Sequence, residues 1–190
     1  MQRKETRRIY VAAAIAHVAG SLISGAIAGA LLGIVGNALP LNRGAVWMVA
    51  ALVAGVLFVR DLHLLEFPVP QWGRQTRGSW YRELGAIRAA WLWGLDLGSG
   101  MTTFVFYSGY WVVVLGAAFT GSALQSACIL AAYGLGRGAV VLLPAIPALR
   151  ANLVDVFDAV LWQRPQLSAL HTLGLLAFGV TAGLAAVPHV

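Results

Sequence analysis

Five times along this chain an apolar run of roughly membrane-crossing length recurs, and nothing constrains its folding more. A bilayer core about 30 Å thick takes an α-helix of roughly 20 residues, since each residue rises 1.5 Å. Runs of that kind lie at about 10–36, 44–60, 87–119, 121–149 and 167–187. Backbone polar groups in hydrocarbon must be satisfied within the segment itself, which leaves helices as the reading for uninterrupted apolar runs. The expected fold is therefore all-α: a polytopic transmembrane helix bundle of about five spans, occupying residues 1–190 as one integral membrane domain. Composition agrees. The chain is 59% hydrophobic and 11% charged, with a mean hydropathy of +0.78, where soluble domains carry about a quarter charged residues.

Charge sets the orientation. The net charge of +6 and pI of 10.3 could point to nucleic acid. Most basic residues, however, flank apolar runs, where they fix topology and meet anionic headgroups. With the N-terminus inside, Arg3, Lys4, Arg7, Arg8, Arg60, Arg74, Arg77, Arg82, Arg88, Arg150 and Arg164 are cytoplasmic. Only Arg43 falls outside, and Arg137 lies within a span. An N-in, C-out chain in the inner or plasma membrane follows from the positive-inside bias. A sixth helix stays open, since either long run could fold as two. The first apolar run continues past the small residues Ala26–Gly29, so a first span is expected there rather than a cleaved signal.

Two segments read as interfacial. In 61–86, Phe67-Pro68-Val69-Pro70 excludes helix, and Trp72, Arg74, Arg77, Trp80, Tyr81 and Arg82 fit a headgroup surface or a solvated loop equally. In 150–164, Leu153, Val156, Phe157, Val160 and Leu161 recur at helical spacing, with Asp155 and Asp158 elsewhere on the wheel.

The first span carries a stripe of Ser21, Gly25, Gly29 and Gly33, which lets another helix approach backbone to backbone. A thin bundle of this size is expected to enclose a path by self-association through that stripe, as a homodimer or within a larger membrane complex.

Two charges sit where charges are costly. Asp96 lies nine residues beyond Ile87, about 13 Å into the span, and Arg137 lies twelve before Leu149, about 18 Å from the same face. A tight Thr120-Gly121-Ser122 turn joins their spans, so the two are expected at similar depth and able to face each other. Gly98, Ser99, Gly100, Thr102 and Thr103 surround the aspartate; Gly134, Gly136 and Gly138 surround the arginine. Glycines beside an intramembrane charge loosen the helix and free backbone groups to coordinate a solute. The candidate substrate-binding set is Asp96, Arg137, Ser99, Thr102 and Thr103; the competing reading is an ion pair that only locks the bundle.

Other polar residues point to no chemistry of their own. His17 is expected to hydrogen-bond a neighbouring helix, and His63, His171 and His189 show no metal-ligand spacing with it. The single cysteine, Cys128, excludes a disulfide and a dithiol relay within the chain, and reads as a packing residue. No catalytic motif and no metal or cofactor site is expected. A weak internal similarity between Leu32–Leu39 and Leu115–Leu124 would fit a duplicated transporter architecture.

Leu115–Leu149, with Gly121-Ser122-Ala123-Leu124, Ala131-Ala132-Tyr133-Gly134-Leu135-Gly136 and its closing prolines, resembles the second half of the cytochrome c biogenesis/thiol–disulfide transmembrane family. That family belongs to the wider LysE-type superfamily of lysine, sulfite and heavy-metal exporters. The resemblance covers about a third of the chain and implies membrane architecture and solute export. It departs where the thiol-relay members carry a cysteine beside a proline in each half, because Cys128 stands alone. Electron transfer is therefore not implied. The function expected is a small transporter or exporter of a small solute or ion, not an enzyme; the alternative is a non-transporting membrane subunit or assembly factor anchoring a partner through the arginine-rich segments.

Overall fold

The computed structural model describes residues 2–40, 42–69, 77–100, 108–145, 158 and 164–187. All regular structure among them is helical: α1 (Gln2–Ala38), α2 (Arg43–Asp61), α3 (Trp80–Leu84), α4 (Ala86–Gly98), α5 (Gly109–Phe119), α6 (Ala123–Ala139) and α7 (Arg164–Ala186), with a 3-10 segment, Val140–Ala145, after α6. Four described helical stretches are long and apolar enough to cross a membrane: Thr6–Ala38, Gly44–Asp61, Ala123–Pro144 and Ser168–Ala186. Within the run expected to span once over 87–119, with its helix broken at the glycines, lie two shorter helices, α4 of 13 residues and α5 of 11. The break follows from Gly100, whose φ of 69° lies in the left-handed region open to glycine. The helix expected over 150–164 falls almost wholly outside the described residues.

The polarity of the bundle is that of a protein solvated by lipid. Leu124 is 74% exposed, Leu170 66%, Leu184 65% and Leu52 64%, while Ser21 and Ser126 are fully buried. An apolar surface this continuous would aggregate in water and is at home in hydrocarbon.

Glycine sets the helix packing. A Cβ built on Gly25, Gly29 or Gly33 of α1 would run into the backbone at Leu130, Ser126 or Ser122 respectively, so α1 and α6 are antiparallel and in backbone contact. On α4, a Cβ at Gly94 would strike His17 and one at Gly98 would strike Ser21, so α4 runs parallel to α1. α5 shares that direction: Leu32 packs against Tyr110 and Val114, and Gly36 abuts Ala118. The stripe that sequence assigns to a close helix neighbour is thus filled by α6 of the same chain. A second copy cannot use it, which corrects the expected route of self-association.

Cys128 also departs from expectation: it is exposed. The face of α6 turned to α1 carries Ser122, Ser126, Leu130, Gly134 and Gly138, at four-residue spacing. Cys128, two residues from Ser126, is half a turn away.

α2 and α7 form a second unit. Gly44 lies beside Ala186, and Gly179 beside Ala51 and Ala54, so they are antiparallel. Ala54, Leu57, Val69, Val112 and Leu175 make a buried cluster where this pair meets α5. Among the described residues, α5 is the principal contact between the α2–α7 pair and the α1–α4–α6 group.

Candidate functional site

The expected depth match between Asp96 and Arg137 has a structural counterpart. Gly98 and Gly134 both press on Ser21, while Gly94 presses on His17 and Gly138 on Val18 and Ser21. Asp96, between Gly94 and Gly98 on α4, and Arg137, between Gly134 and Gly138 on α6, therefore stand at one level against α1. Their directions differ. α4 turns Gly94 and Gly98 to α1, so Asp96 lies about half a turn off that face. Arg137 adjoins Gly138 on the flank of α6 and donates from Nη1 to the Tyr133 hydroxyl at 3.4 Å. Both residues are half-buried, and neither is without a partner. Thr102 and Thr103 lie outside the described residues.

Ser99 enters through its backbone. It follows α4, and its carbonyl accepts the Tyr110 hydroxyl at 2.7 Å. The Tyr110 ring lies 5.1 Å from that of Tyr133. Arg137, Tyr133, Tyr110 and Ser99 thus form one connected network across α6, α5 and the end of α4. At the same level the Ser21 hydroxyl is fully buried and has no hydrogen-bond partner among the described residues. A buried, unsatisfied hydroxyl is costly in a low-dielectric interior. Sequence reading placed Ser21 in the packing stripe and gave it no polar role.

His17 is buried, with Nδ1 3.2 Å from the Ala90 carbonyl of α4. This is the interhelical hydrogen bond expected of it.

A second polar cluster was not anticipated. α2 ends in a Schellman motif: the Leu64 amide donates to Val59 O at 3.2 Å and the His63 amide to Arg60 O at 2.8 Å. That turn fixes Arg60 and Asp61 in the last helical turn. Arg60 Nη1 pairs with Asp61 Oδ1 at 2.9 Å, and its Nε donates to Phe67 O at 2.9 Å. The other oxygen, Asp61 Oδ2, receives the Ser108 hydroxyl and lies 3.1 Å from His171 Nε2. The same Nε2 is 3.2 Å from the Gly109 amide, in the first turn of α5. The histidine of α7 thus stands where an N-terminal cap would stand for α5.

Asp, Ser and His do not form a nucleophilic triad here. The serine directs its proton to the carboxylate, whereas an activated nucleophile gives it to the imidazole. No group of three or more His, Cys, Asp or Glu able to hold a metal occurs among the described residues.

Ser108 and the first two residues of α5 therefore reach four places: Ser108 to α2, Gly109 to α7, and Tyr110 to the end of α4 and to α6. The class these features define is an all-helical protein with four described helices of membrane-crossing length. No family model, curated protein or solved structure matches the chain.

Proposed function

We propose that this protein is a small polytopic membrane transporter or exporter of a small solute or ion, with its binding region at the Asp96–Arg137 level. The observation that carries the reading is the placement of two intramembrane charges at one height on antiparallel helices. Beside them are a helix break at Ser99–Gly100 and the buried hydroxyl of Ser21. Charges inside a bilayer are retained chiefly where they serve a path or a partner, and broken helices at mid-membrane supply coordinating backbone groups.

In this reading the chain crosses five times, N-in and C-out, with α4 and α5 together making the third traverse. Support comes from helix direction: α1, α4 and α5 run one way and α6 the other, and α2 opposes α7. The basic starts of α1 and α4 then share one end, with Arg43 at the other, as the positive-inside rule requires of a plasma or inner membrane protein. The anionic inner leaflet is the lipid partner. Alternating access is a movement of the α2–α7 pair against the glycine-packed group, with α5 between them.

A second reading, a non-transporting subunit or assembly factor, draws on α3 and the start of α4, where Tyr81 is 56% exposed and Arg82 and Arg88 are exposed. Proteoliposomes decide between them. Uptake of lysine, sulfite or a divalent metal above that of empty vesicles supports transport. Equal uptake for the whole panel, with activity in cells lost on replacing Arg77, Arg82 and Arg88, supports the subunit.

A further inference from the structure

We propose that Asp61, Ser108 and His171 form a proton-binding site whose occupancy sets how the first turn of α5 is held. One nitrogen of this cluster has two incompatible neighbours. His171 Nε2 lies 3.1 Å from the Asp61 carboxylate and 3.2 Å from the Gly109 amide. A carboxylate oxygen accepts and a backbone N–H donates, whereas a ring nitrogen does only one of these in a given protonation state. Without a proton on Nε2, the nitrogen accepts from Gly109 and caps α5, but its lone pair faces the anionic oxygen. With a proton there, it donates to Asp61 and leaves the Gly109 amide without that acceptor. In a ring whose neutral form carries its hydrogen on Nδ1, taking one proton from solvent onto the Nε2 lone pair thus gives an imidazolium and exchanges an α7–α5 bond for an α7–α2 bond. No other atom changes hands.

The surroundings concentrate that choice. Asp61 Oδ2 also receives the Ser108 hydroxyl, so this oxygen is oriented toward the helix α5 entrance, while Oδ1 is held by Arg60 at 2.9 Å. Among the described residues, the Asp61 carboxylate, itself paired with Arg60, faces His171 from α2, and the Gly109 amide faces it from α5. His63 and Glu66, in the segment after α2, are exposed. Gly109 permits the contact, since a Cβ there would occupy the position of the His171 ring. The adjacent residue, Tyr110, donates to Ser99 O and stacks near Tyr133, which receives Arg137. Release of the α5 first turn is therefore transmitted toward the Arg137 network, although proton binding itself does not depend on transport.

The test is nitrogen-15 NMR of the full chain labelled at histidine and glycine in lipid nanodiscs, followed across about pH 5 to 8, the range in which imidazoles change charge. The His171 signals are assigned by their loss in His171→Gln. The proposal expects Nε2 to pass from an acceptor to a protonated nitrogen, with the Gly109 amide shift moving at the same midpoint. In His171→Gln the Gly109 amide should cease to follow pH while the other α5 glycine, Gly116, keeps its shift, which a folding defect would not spare. A single Nε2 state across the range, a Gly109 amide that does not follow it, or one that still follows pH in His171→Gln would overturn the proposal.

Discussion

The imidazole of His171 and the carboxylate of Asp61, 110 residues apart in the chain, meet at 3.1 Å and join the two helices of the α2–α7 pair at the point where α5 begins. Because the Ser108 hydroxyl shares the same carboxylate oxygen, three segments depend on one side chain. Their energies should not add. In a double-mutant cycle of Asp61→Asn and His171→Gln, thermal unfolding in detergent should show a coupling of about 1 kcal/mol or more. A purely additive cycle would mean that the contact contributes nothing to stability.

Glycines two residues apart on α6 should behave oppositely. A Cβ at Gly134 would strike the Ser21 carbonyl, whereas one at Gly136 meets nothing within 4 Å. Gly134→Ala therefore forces α1 and α6 apart at a cost of about 1–3 kcal/mol. Gly136→Ala gains about 0.5–1 kcal/mol through helix propensity alone. Unfolding midpoints of the two variants, measured side by side, check the assignment of the α1-facing side of α6. Equal effects would contradict it.

His63 holds φ at 58° in the Schellman turn that ends α2. A side chain in left-handed geometry is strained by about 1 kcal/mol or more, which glycine relieves. His63→Gly should accordingly raise the unfolding midpoint without altering the Arg60–Asp61 pair. A lower midpoint would show that the imidazole makes a compensating contact.

Much of the scaffold was legible because its causes are local. The Gly25–Gly29–Gly33 spacing announced a backbone contact. Gly98–Gly100 announced the break between α4 and α5, and Thr120-Gly121-Ser122 announced the turn into α6, where Ser122 Oγ accepts from the Gln125 amide at 3.4 Å. The level shared by Asp96 and Arg137 followed from span direction and residue counts. Sequence could not give the side of the helix each charge occupies, because that depends on which face the glycines turn to α1. The Asp61–Ser108–His171 cluster lay further out of reach. Its members are separated by 47 and 110 residues, and Asp61 sits one residue past the expected end of its span. A carboxylate bordering an apolar run and a histidine inside another were the available signals; nothing local linked them. Ser21 was misjudged for a related reason, since small residues pack in the same pattern whether or not their hydroxyls are satisfied.

The most direct test of the account is solute flux through purified protein carrying Arg137→Gln or Asp96→Asn, each verified as folded by circular dichroism and reconstituted beside the wild type. The candidate site predicts that both variants retain helix content and lose flux by at least roughly tenfold, the effect of about 1.4 kcal/mol at a binding or translocation step. Wild-type flux in both variants would contradict a path at the Asp96–Arg137 level and leave the two charges with a role in assembly alone.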